Sequence, residues 1–175
     1  SEAIRYSILG GGKRLRPILV YLIGELGNAE NDSLDILAGS VEIIHCYSLI
    51  HDDLPSMDDD DLRRGKLTTH KKYDEATAIL AGDALQPFAF ELVTTINISD
   101  KNKLSIIKSL AQACGYQGMV GGQIKDIHSN DIKDVKSLDI MHSQKTGRLI
   151  QSSIETAGIL SDWRKQDIES LIEYG

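Results

Sequence analysis

The sequence contains few aromatic residues, few prolines and few cysteines. Aromatic residues make up 5% of the 175 positions, and there are three prolines and two cysteines. Cys46 and Cys114 each lie in an apolar stretch without Cys-x-x-Cys spacing, which favours buried free thiols in a reducing compartment over a disulfide or a zinc site. No uninterrupted apolar run approaches ~18 residues, so we expect no membrane insertion.

The charge balance argues against a nucleic-acid partner. The net charge is −7, whereas a surface that binds nucleic acid is basic. The first residues do not have the layout of a signal peptide, so we expect a cytoplasmic protein. With 41% apolar and 26% charged residues, the composition is typical of one globular domain.

Hydrophobic residues recur at helical spacing along most of the chain, and few stretches alternate with a period of two. This pattern predicts an all-α fold. Pro17 suits the first position of a helix, and Pro55 ends another, because the residue before proline avoids the α conformation. Pro87 falls inside a helical stretch and predicts either a kink or a restart with Asp83 as the N-cap. The predicted helices cover residues 17–26, 33–53, 75–96, 100–121, 137–160 and 162 onward, with a charged loop at 56–70.

Six aspartates lie between Asp52 and Asp61, directly after an apolar helix. At ~100° per residue, His45, Ser48 and Asp52 share one face of that helix, which indicates a polar-lined cavity. Asp52 and Asp53 also fall at the helix C-terminus, where the macrodipole disfavours negative charge. Local conflicts of this kind are typical of functional sites, and a divalent cation would relieve this one. Because hard oxygen ligands suit magnesium, the cluster predicts a Mg²⁺ site.

Two other interpretations of the aspartate cluster are weaker. A solvated acidic loop is the usual explanation of a charge run, but here an apolar helix precedes the run and two arginines follow it. A calcium loop of the EF-hand type beginning at Asp58 would place Leu62 and Arg63 where a ligand and a glycine are needed. Carboxylates followed by Arg63 and Arg64 instead predict a diphosphate site, with a metal on one side and guanidinium groups on the other.

A second anion site is predicted in a glycine-rich basic segment near the start of the chain. Residues 10–17 read Gly-Gly-Gly-Lys-Arg-Leu-Arg-Pro and lead into a helix N-terminus, which attracts anions. The segment is not a Walker A loop, because Ser7 stands in place of its first glycine and Arg14 in place of its Ser/Thr. An ordinary helix entry with surface charge would show the same pattern. Together with the aspartate cluster, the segment predicts two diphosphates in one site.

Several further residues have both a structural and a functional interpretation. Residues 145–147 (Lys-Thr-Gly) lie within a helical pattern and are either an exposed flexible spot or part of the site. Gln123 and Asp126 follow a face of small residues, which close helix packing explains, and are themselves either surface residues or site residues. His45 is either a hydrogen-bonded core residue or, given its alignment with Asp52, a binding residue.

The order of these segments resembles that of the trans-prenyl diphosphate synthases. Residues 51–65, His-Asp-Asp-Leu-Pro-Ser-Met-Asp-Asp-Asp-Asp-Leu-Arg-Arg-Gly, are similar to the family's first aspartate-rich motif in its bacterial form. The family order is also matched by Gly-Gly-Lys-Arg-Leu-Arg-Pro (11–17), Ala-Ile-Leu-Ala-Gly-Asp (78–83), Gly-Gly-Gln-x-x-Asp (121–126) and Lys-Thr-Gly (145–147). The resemblance spans essentially the whole chain and implies an antiparallel helical bundle of the isoprenoid synthase type.

The resemblance implies a role for each matching residue. Mg²⁺ would be held by Asp52, Asp53 and Asp58. The allylic diphosphate would be bound by Arg63, Lys145 and Thr146, and isopentenyl diphosphate by Lys13, Arg16, His45 and Arg64. Gln123 is also expected to bind substrate. Of all these residues, the ones expected to be catalytic are Asp52, Asp53, Asp58, Arg63 and Lys145.

The implied reaction is head-to-tail prenyl transfer. The metal-bound diphosphate leaves the allylic carbon, the double bond of isopentenyl diphosphate attacks the resulting cation, and a proton is lost. In this family, the residues four and five positions before the first aspartate shape the floor of the elongation pocket, and here they are Ser48 and Tyr47. A bulky Tyr47 predicts a C15 product, farnesyl diphosphate, although Tyr47 lies well off the Asp52 face of its helix. Geranyl and geranylgeranyl diphosphate are the alternative products.

The sequence departs from the family pattern in two ways. The family carries a second aspartate-rich motif, which does not follow Lys145, and helices that precede the glycine-rich segment. Residues 1–175 are therefore expected to be a single partial domain that is inactive alone. A homodimer is expected from the resemblance.

Three other functions fit parts of the sequence. A non-catalytic regulatory subunit of a prenyl diphosphate synthase has no need of intact Asp52, Asp58 and Arg63. A terpene cyclase takes one diphosphate and has no need of a second anion site at Lys13 and Arg16. A cation-binding module would bind calcium without diphosphate, whereas a synthase binds magnesium well only when the diphosphate is present.

Overall fold

The computed structural model describes residues 1–128 and 134–174, which form a bundle of helices with a short β-hairpin. The strands are β1 (Leu62–Arg63) and β2 (Lys66–Leu67), and a π-helical turn covers Ser143–Gly147. The helices are α1 (Glu2–Ile8), α2 (Leu15–Leu26), α3 (Asn31–Asp52), α4 (Thr69–Lys72), α5 (Glu75–Thr94), α6 (Asp100–Cys114), α7 (Met119–Ile127), α8 (Val135–His142), α9 (Arg148–Leu160) and α10 (Lys165–Tyr174). The all-α prediction is confirmed.

Helix α3 is the central element of the core. Leu34, Leu37, Val41 and Ile44 recur at helical spacing and are fully buried. Helix α5 packs along α3, and α2 and α9 also pack against α3. By length and composition, α3 is also the helix of the described residues that could cross a membrane, but 67% of its most apolar stretch is buried in the bundle. Burial of this kind is what a core helix shows.

Side-chain caps fix where several helices begin, α5, α6 and α8 among them. The Asp74 carboxylate accepts the Thr77 backbone N–H at 2.7 Å before α5. The Ser99 hydroxyl accepts the Asn102 N–H at 3.2 Å before α6, and Asp134 caps α8 through Ser137 in the same way. Each cap satisfies a backbone donor that has no partner inside the helix. The predicted starts of α5 and α6 coincide with these caps.

Several predicted helix boundaries differ from the structure. Helix α2 begins at Leu15, so Pro17 is its third residue and not its first. Pro87 lies inside α5 and Asp83 is an internal residue of that helix, so the predicted restart at Asp83 is wrong. The single helix predicted over residues 100–121 is in fact two, because α6 ends at Cys114 and α7 begins at Met119. At Gly118, which precedes α7, an added Cβ would overlap the Ala113 carbonyl. The glycines therefore allow a sharp change of direction here.

The charged loop predicted at 56–70 contains the hairpin and the start of α4. Leu62 pairs with Leu67 and Arg63 with Lys66 in an antiparallel register. The turn residues Arg64 and Gly65 have φ angles of 55° and 76°. Positive φ at both positions is the requirement of a type I′ turn, which joins two strands with the least strain. The neighbouring Arg63 and Arg64 side chains therefore point in different directions, Arg63 to Asp53 and Arg64 to Gly11.

Candidate active site

Asp52 ends α3, and the chain folds back over that end in a tight loop. The Met57 N–H donates to the Leu54 carbonyl at 2.9 Å, and the Asp58 N–H donates to the Asp52 carbonyl at 2.8 Å. The second bond satisfies a carbonyl left free at the end of α3 and sets Asp58 beside Asp52. Burial raises the pKa of Asp52 to about 6, with the Lys145 ammonium opposing the shift and the Asp58 carboxylate adding to it. A cation here would relieve the repulsion between the two carboxylates.

Asp53 is buried and bound by Arg63. The Arg63 Nε donates to Asp53 Oδ1 at 2.6 Å, and Nη2 lies 2.5 Å from the same oxygen. Nη2 also donates to Oδ2 of Asp60 at 3.1 Å. Burial raises the pKa of Asp53 against the opposing effect of Arg63, and the hydrogen bond to Asp53 raises the pKa of Arg63. The pair holds the hairpin against the end of α3.

The acidic side chains do not converge on a single point. Within residues 1–128 and 134–174, no three His, Cys, Asp or Glu side chains lie close enough to hold a metal ion together. Asp53 is turned towards Arg63, and Asp58 is exposed. Magnesium bound together with a diphosphate needs few protein ligands, because phosphate oxygens and waters complete its coordination. The paired carboxylates of Asp52 and Asp58 fit this mode of binding.

Lys145 approaches the aspartates from the π turn. Its Nζ lies 2.5 Å from Oδ2 of Asp126 on α7. Burial lowers the pKa of Lys145, but the hydrogen bond to Asp126 and the charges of Asp52 and Asp58 outweigh it and raise the pKa overall. Gly122 makes this approach possible, because a Cβ there would overlap the Lys145 backbone nitrogen. A charged ammonium is thereby held beside the acidic pair.

His45 lies among the arginines, two turns before Asp52 on the same face of α3. Burial, followed by the charges of Arg16, Arg64, Arg63 and Arg14, lowers the pKa of His45 to about 3. The imidazole is therefore neutral at pH 7. Burial also lowers the pKa of Arg16, and its buried Nε makes no hydrogen bond to the described part of the chain. A buried donor without a partner costs free energy that a bound anion would recover.

Arg64 links the hairpin turn to the glycine-rich segment. Its Nη1 donates to the Gly11 carbonyl. Gly12, with φ of +130°, leaves room for the guanidinium, which an added Cβ would displace. Lys13 follows and is exposed. The hairpin turn and the glycine-rich segment are therefore in direct contact through Arg64.

The remaining predicted residues lie at the edges of the site. Thr146 is exposed on the π turn. Gln123 is buried, and neither its amide oxygen nor its amide nitrogen bonds to the described residues. A buried amide without partners is a group that a bound substrate can satisfy.

Besides the Arg63–Asp53 pair, sequence reasoning missed two other ion pairs of the site. Asp126 pairs with Lys145, although the spacing Gln-x-x-Asp had already indicated it as one of two possibilities. Arg14 pairs with the buried Glu42, which was not identified at all. Glu42 precedes His45 by three residues and so shares its helix face. An acidic residue at that spacing inside an apolar helix is the signal that could have found it.

The chain is similar to known proteins over its whole length. The family model described as polyprenyl synthetase matches residues 1–175. The farnesyl diphosphate synthase of Haemophilus influenzae is 52% identical over 91% of this chain and 55% of its own length. That of Micrococcus luteus is 48% identical over 97% of this chain and 59% of its own length. A crystal structure of an FPP/GFPP synthase from Zymomonas mobilis, 42% identical, superposes on 99% of this chain and 64% of its own with a TM-score of 0.96. The chain thus spans little more than half the length of the curated relatives it matches.

Proposed function

Because the chain belongs to the polyprenyl synthetase family and has the helical bundle of its solved relatives, we propose that it forms the diphosphate-binding part of a magnesium-dependent prenyltransferase. The reaction is the head-to-tail condensation of isopentenyl diphosphate with dimethylallyl or geranyl diphosphate, and the product is farnesyl diphosphate. One observation carries the proposal. An acidic pair beside a lysine and a group of arginines around a neutral histidine lie at the same end of α3.

The acidic side of the site would take the allylic diphosphate. Asp52 and Asp58 would hold Mg²⁺, and Asp53 would join them through its second carboxylate oxygen while Arg63 keeps Oδ1. When bound, the metal supplies a Lewis acid that stabilises the departing diphosphate. Lys145 and Arg63 would bind the diphosphate oxygens directly, since charge-assisted hydrogen bonds are the stronger ones. Thr146 and Gln123 would add neutral hydrogen bonds.

The basic side of the site would take isopentenyl diphosphate. Arg16 offers a buried Nε without a partner among the described residues, and Arg16 and Arg64 both act on His45 through their charge. Lys13 would join them from the exposed segment before α2. The neutral His45 can donate one hydrogen bond without repelling the surrounding guanidinium groups. Since like-charged groups disfavour each other at short range, an anion between these arginines would be strongly favoured.

The product length would depend on Tyr47. This residue is buried and lies five residues, ~7.5 Å along the helix axis, before Asp52. Gln86 of α5 donates to the Tyr47 hydroxyl at 3.2 Å. A fixed aromatic ring at that depth would stop a growing chain at C15. Geranyl and geranylgeranyl diphosphate remain the alternatives, and the Zymomonas relative is itself described as an FPP/GFPP synthase.

A homodimer is part of the proposal. Leu80 and Phe88 of α5 and Ile124 of α7 are large apolar side chains that are exposed in the single chain. A second copy is an economical way to cover such a surface. Light scattering after size-exclusion chromatography of the whole gene product would give the stoichiometry. A monomer at micromolar concentration would contradict this part. The cytoplasmic location stays a prediction.

The decisive experiment is a prenyl-transfer assay on the whole gene product. Isopentenyl and geranyl diphosphates with Mg²⁺ are expected to give farnesyl diphosphate, and EDTA is expected to abolish it. Asp52→Asn removes a carboxylate from the metal site while keeping its size, and is expected to abolish turnover. Asp139→Asn, on the exposed surface of α8, is the matched control and is expected to keep full activity.

A negative assay would be informative only with binding data. If the protein binds both diphosphates by calorimetry yet forms no product, it is a regulatory subunit rather than a synthase. Calcium binding in the absence of any diphosphate would instead favour a cation-binding module.

A further inference from the structure

Glu42 and Arg14 form an ion pair beneath the basic segment. Glu42 on α3 is 6% exposed, and Nη1 of Arg14 donates to its Oε1. Nη2 of Arg14 donates to the Ile8 carbonyl near the end of α1 at 2.7 Å. The Arg14 guanidinium thus joins α3 to α1. Both of these hydrogen bonds are made within the protein.

The backbone conformation of Arg14 explains why its ion pair with Glu42 affects the residues around it. Arg14 has φ of 51° and is the last residue before α2. The left-handed conformation is uncommon for residues other than glycine and costs free energy. Because the chain is bent here, the position of Arg14 sets the direction in which α2 begins. It therefore also sets where its neighbours Lys13 and Arg16 lie.

Glu42 faces the second arginine as well. Burial lowers the pKa of Arg16, and the negative charge of Glu42 is the opposing influence. Glu42 also lies one turn before His45 on the same helix face. The buried carboxylate is therefore placed among the basic residues that border the isopentenyl side of the site.

We propose that the Glu42–Arg14 ion pair positions the residues that bind isopentenyl diphosphate. Glu42 fixes Arg14, and Arg14 fixes the bend that aims Lys13 and Arg16 at the diphosphate. Arg14 itself is not a substrate-binding residue, although it lies between two that are. This inference rests on the function proposed above.

The test separates positioning from simple stabilisation. Removing one partner of a buried ion pair leaves the other charge uncompensated and destabilises the protein, whereas replacing both by apolar residues is often neutral. We therefore compare Glu42→Met, Arg14→Met and the double variant in the whole gene product. Both single variants are expected to lower the Tm, and the double variant to recover it.

The double variant is expected to bind only one of the two substrates more weakly than the wild type does. Its KM for isopentenyl diphosphate, and the calorimetric Kd for the same ligand, should rise by about tenfold or more, the effect of losing roughly one well-placed charged hydrogen bond. Its KM for geranyl diphosphate should remain that of the wild type. Glu155→Met is the matched control, because Glu155 accepts a 2.6 Å hydrogen bond from Ser109 on a different helix pair.

Three outcomes would overturn the inference. They are a double variant with wild-type KM and Kd for isopentenyl diphosphate, an equal rise in both KM values, and a wild type that does not bind isopentenyl diphosphate. A wild type that binds isopentenyl diphosphate but transfers no prenyl group would instead refute the proposed function. In that case the Kd comparison would still decide the role of the pair.

Discussion

The depressed pKa of His45 predicts how stability depends on pH. The folded state keeps this imidazole neutral down to a pKa of about 3, because of burial and the surrounding arginines. In the unfolded chain, the same histidine has a pKa of about 6.5. The contribution of His45 to the free energy of unfolding is therefore fully present above pH 6.5. It is lost progressively as the pH falls, since only the unfolded state then takes up the proton.

The size of the loss follows from the two pKa values. Between pH 8 and pH 5, His45 should lower the free energy of unfolding by about 2 kcal/mol. Asp52 acts in the opposite sense, because its folded pKa of about 6 lies above its unfolded value. Between pH 8 and pH 5, Asp52 should therefore raise the free energy of unfolding by about 1 kcal/mol, after allowance for its partial exposure to solvent.

Urea denaturation at pH 8 and pH 5 would measure the effect. The buffer must contain no phosphate or diphosphate, and the protein concentration must be constant. Relative to His45→Gln, the wild type should lose about 2 kcal/mol on acidification. His142→Gln, which alters an exposed histidine, is the control and should behave as the wild type does. Parallel pH profiles of wild type and His45→Gln would refute the burial of a neutral imidazole among arginines.

Three further predictions concern named contacts. Arg63→Met should lower the free energy of unfolding by about 3 kcal/mol in urea denaturation, because the buried Asp53 loses its partner, and the double variant with Asp53→Asn should recover most of the loss. Gly122→Ala should reduce kcat by about a hundredfold with an unchanged circular dichroism spectrum, because its Cβ displaces the Lys145 backbone; normal turnover would mean that the lysine needs no such placement. Pro87→Ala should stabilise the protein by about 2 kcal/mol, because proline in a helix interior costs a hydrogen bond, and a lower Tm would contradict this reasoning.

The helices that sequence reasoning found are those with strong local signals. Helix α3 combines a long apolar pattern with a proline three residues beyond its end, and α6 has a serine cap. Sequence reasoning missed the hairpin and two short helices, α1 with seven residues and α4 with four. The hairpin requires Arg64 at positive φ, which sequence patterns rarely indicate for a residue other than glycine. Contacts made later along the chain, not local preference, determine these elements.

The candidate site was predictable in composition but not in pairing. The motifs supplied Asp52, Asp58 and Lys145, which the structure places within reach of each other's charge. The Arg63–Asp53 bond could not be predicted, because it depends on how the hairpin folds back on α3. The Glu42–Arg14 pair depends in the same way on the packing of α1, α2 and α3. Such pairings are set by tertiary structure, about which spacing along the sequence is silent.

Because Lys145 lies in the π turn, its position can change while the core of the bundle stays as it is. Backbone angles stay helical from α8 through Ser143–Gly147 into α9, so the turn is one extra residue within a continuous helix. Deleting a single residue there would leave an uninterrupted α-helix but rotate its first part by about 100° relative to the second. Lys145 would then leave Asp126 while the core residues of α9 stay in place. A single-residue deletion in the π turn would therefore give a folded chain that lacks the Lys145–Asp126 contact.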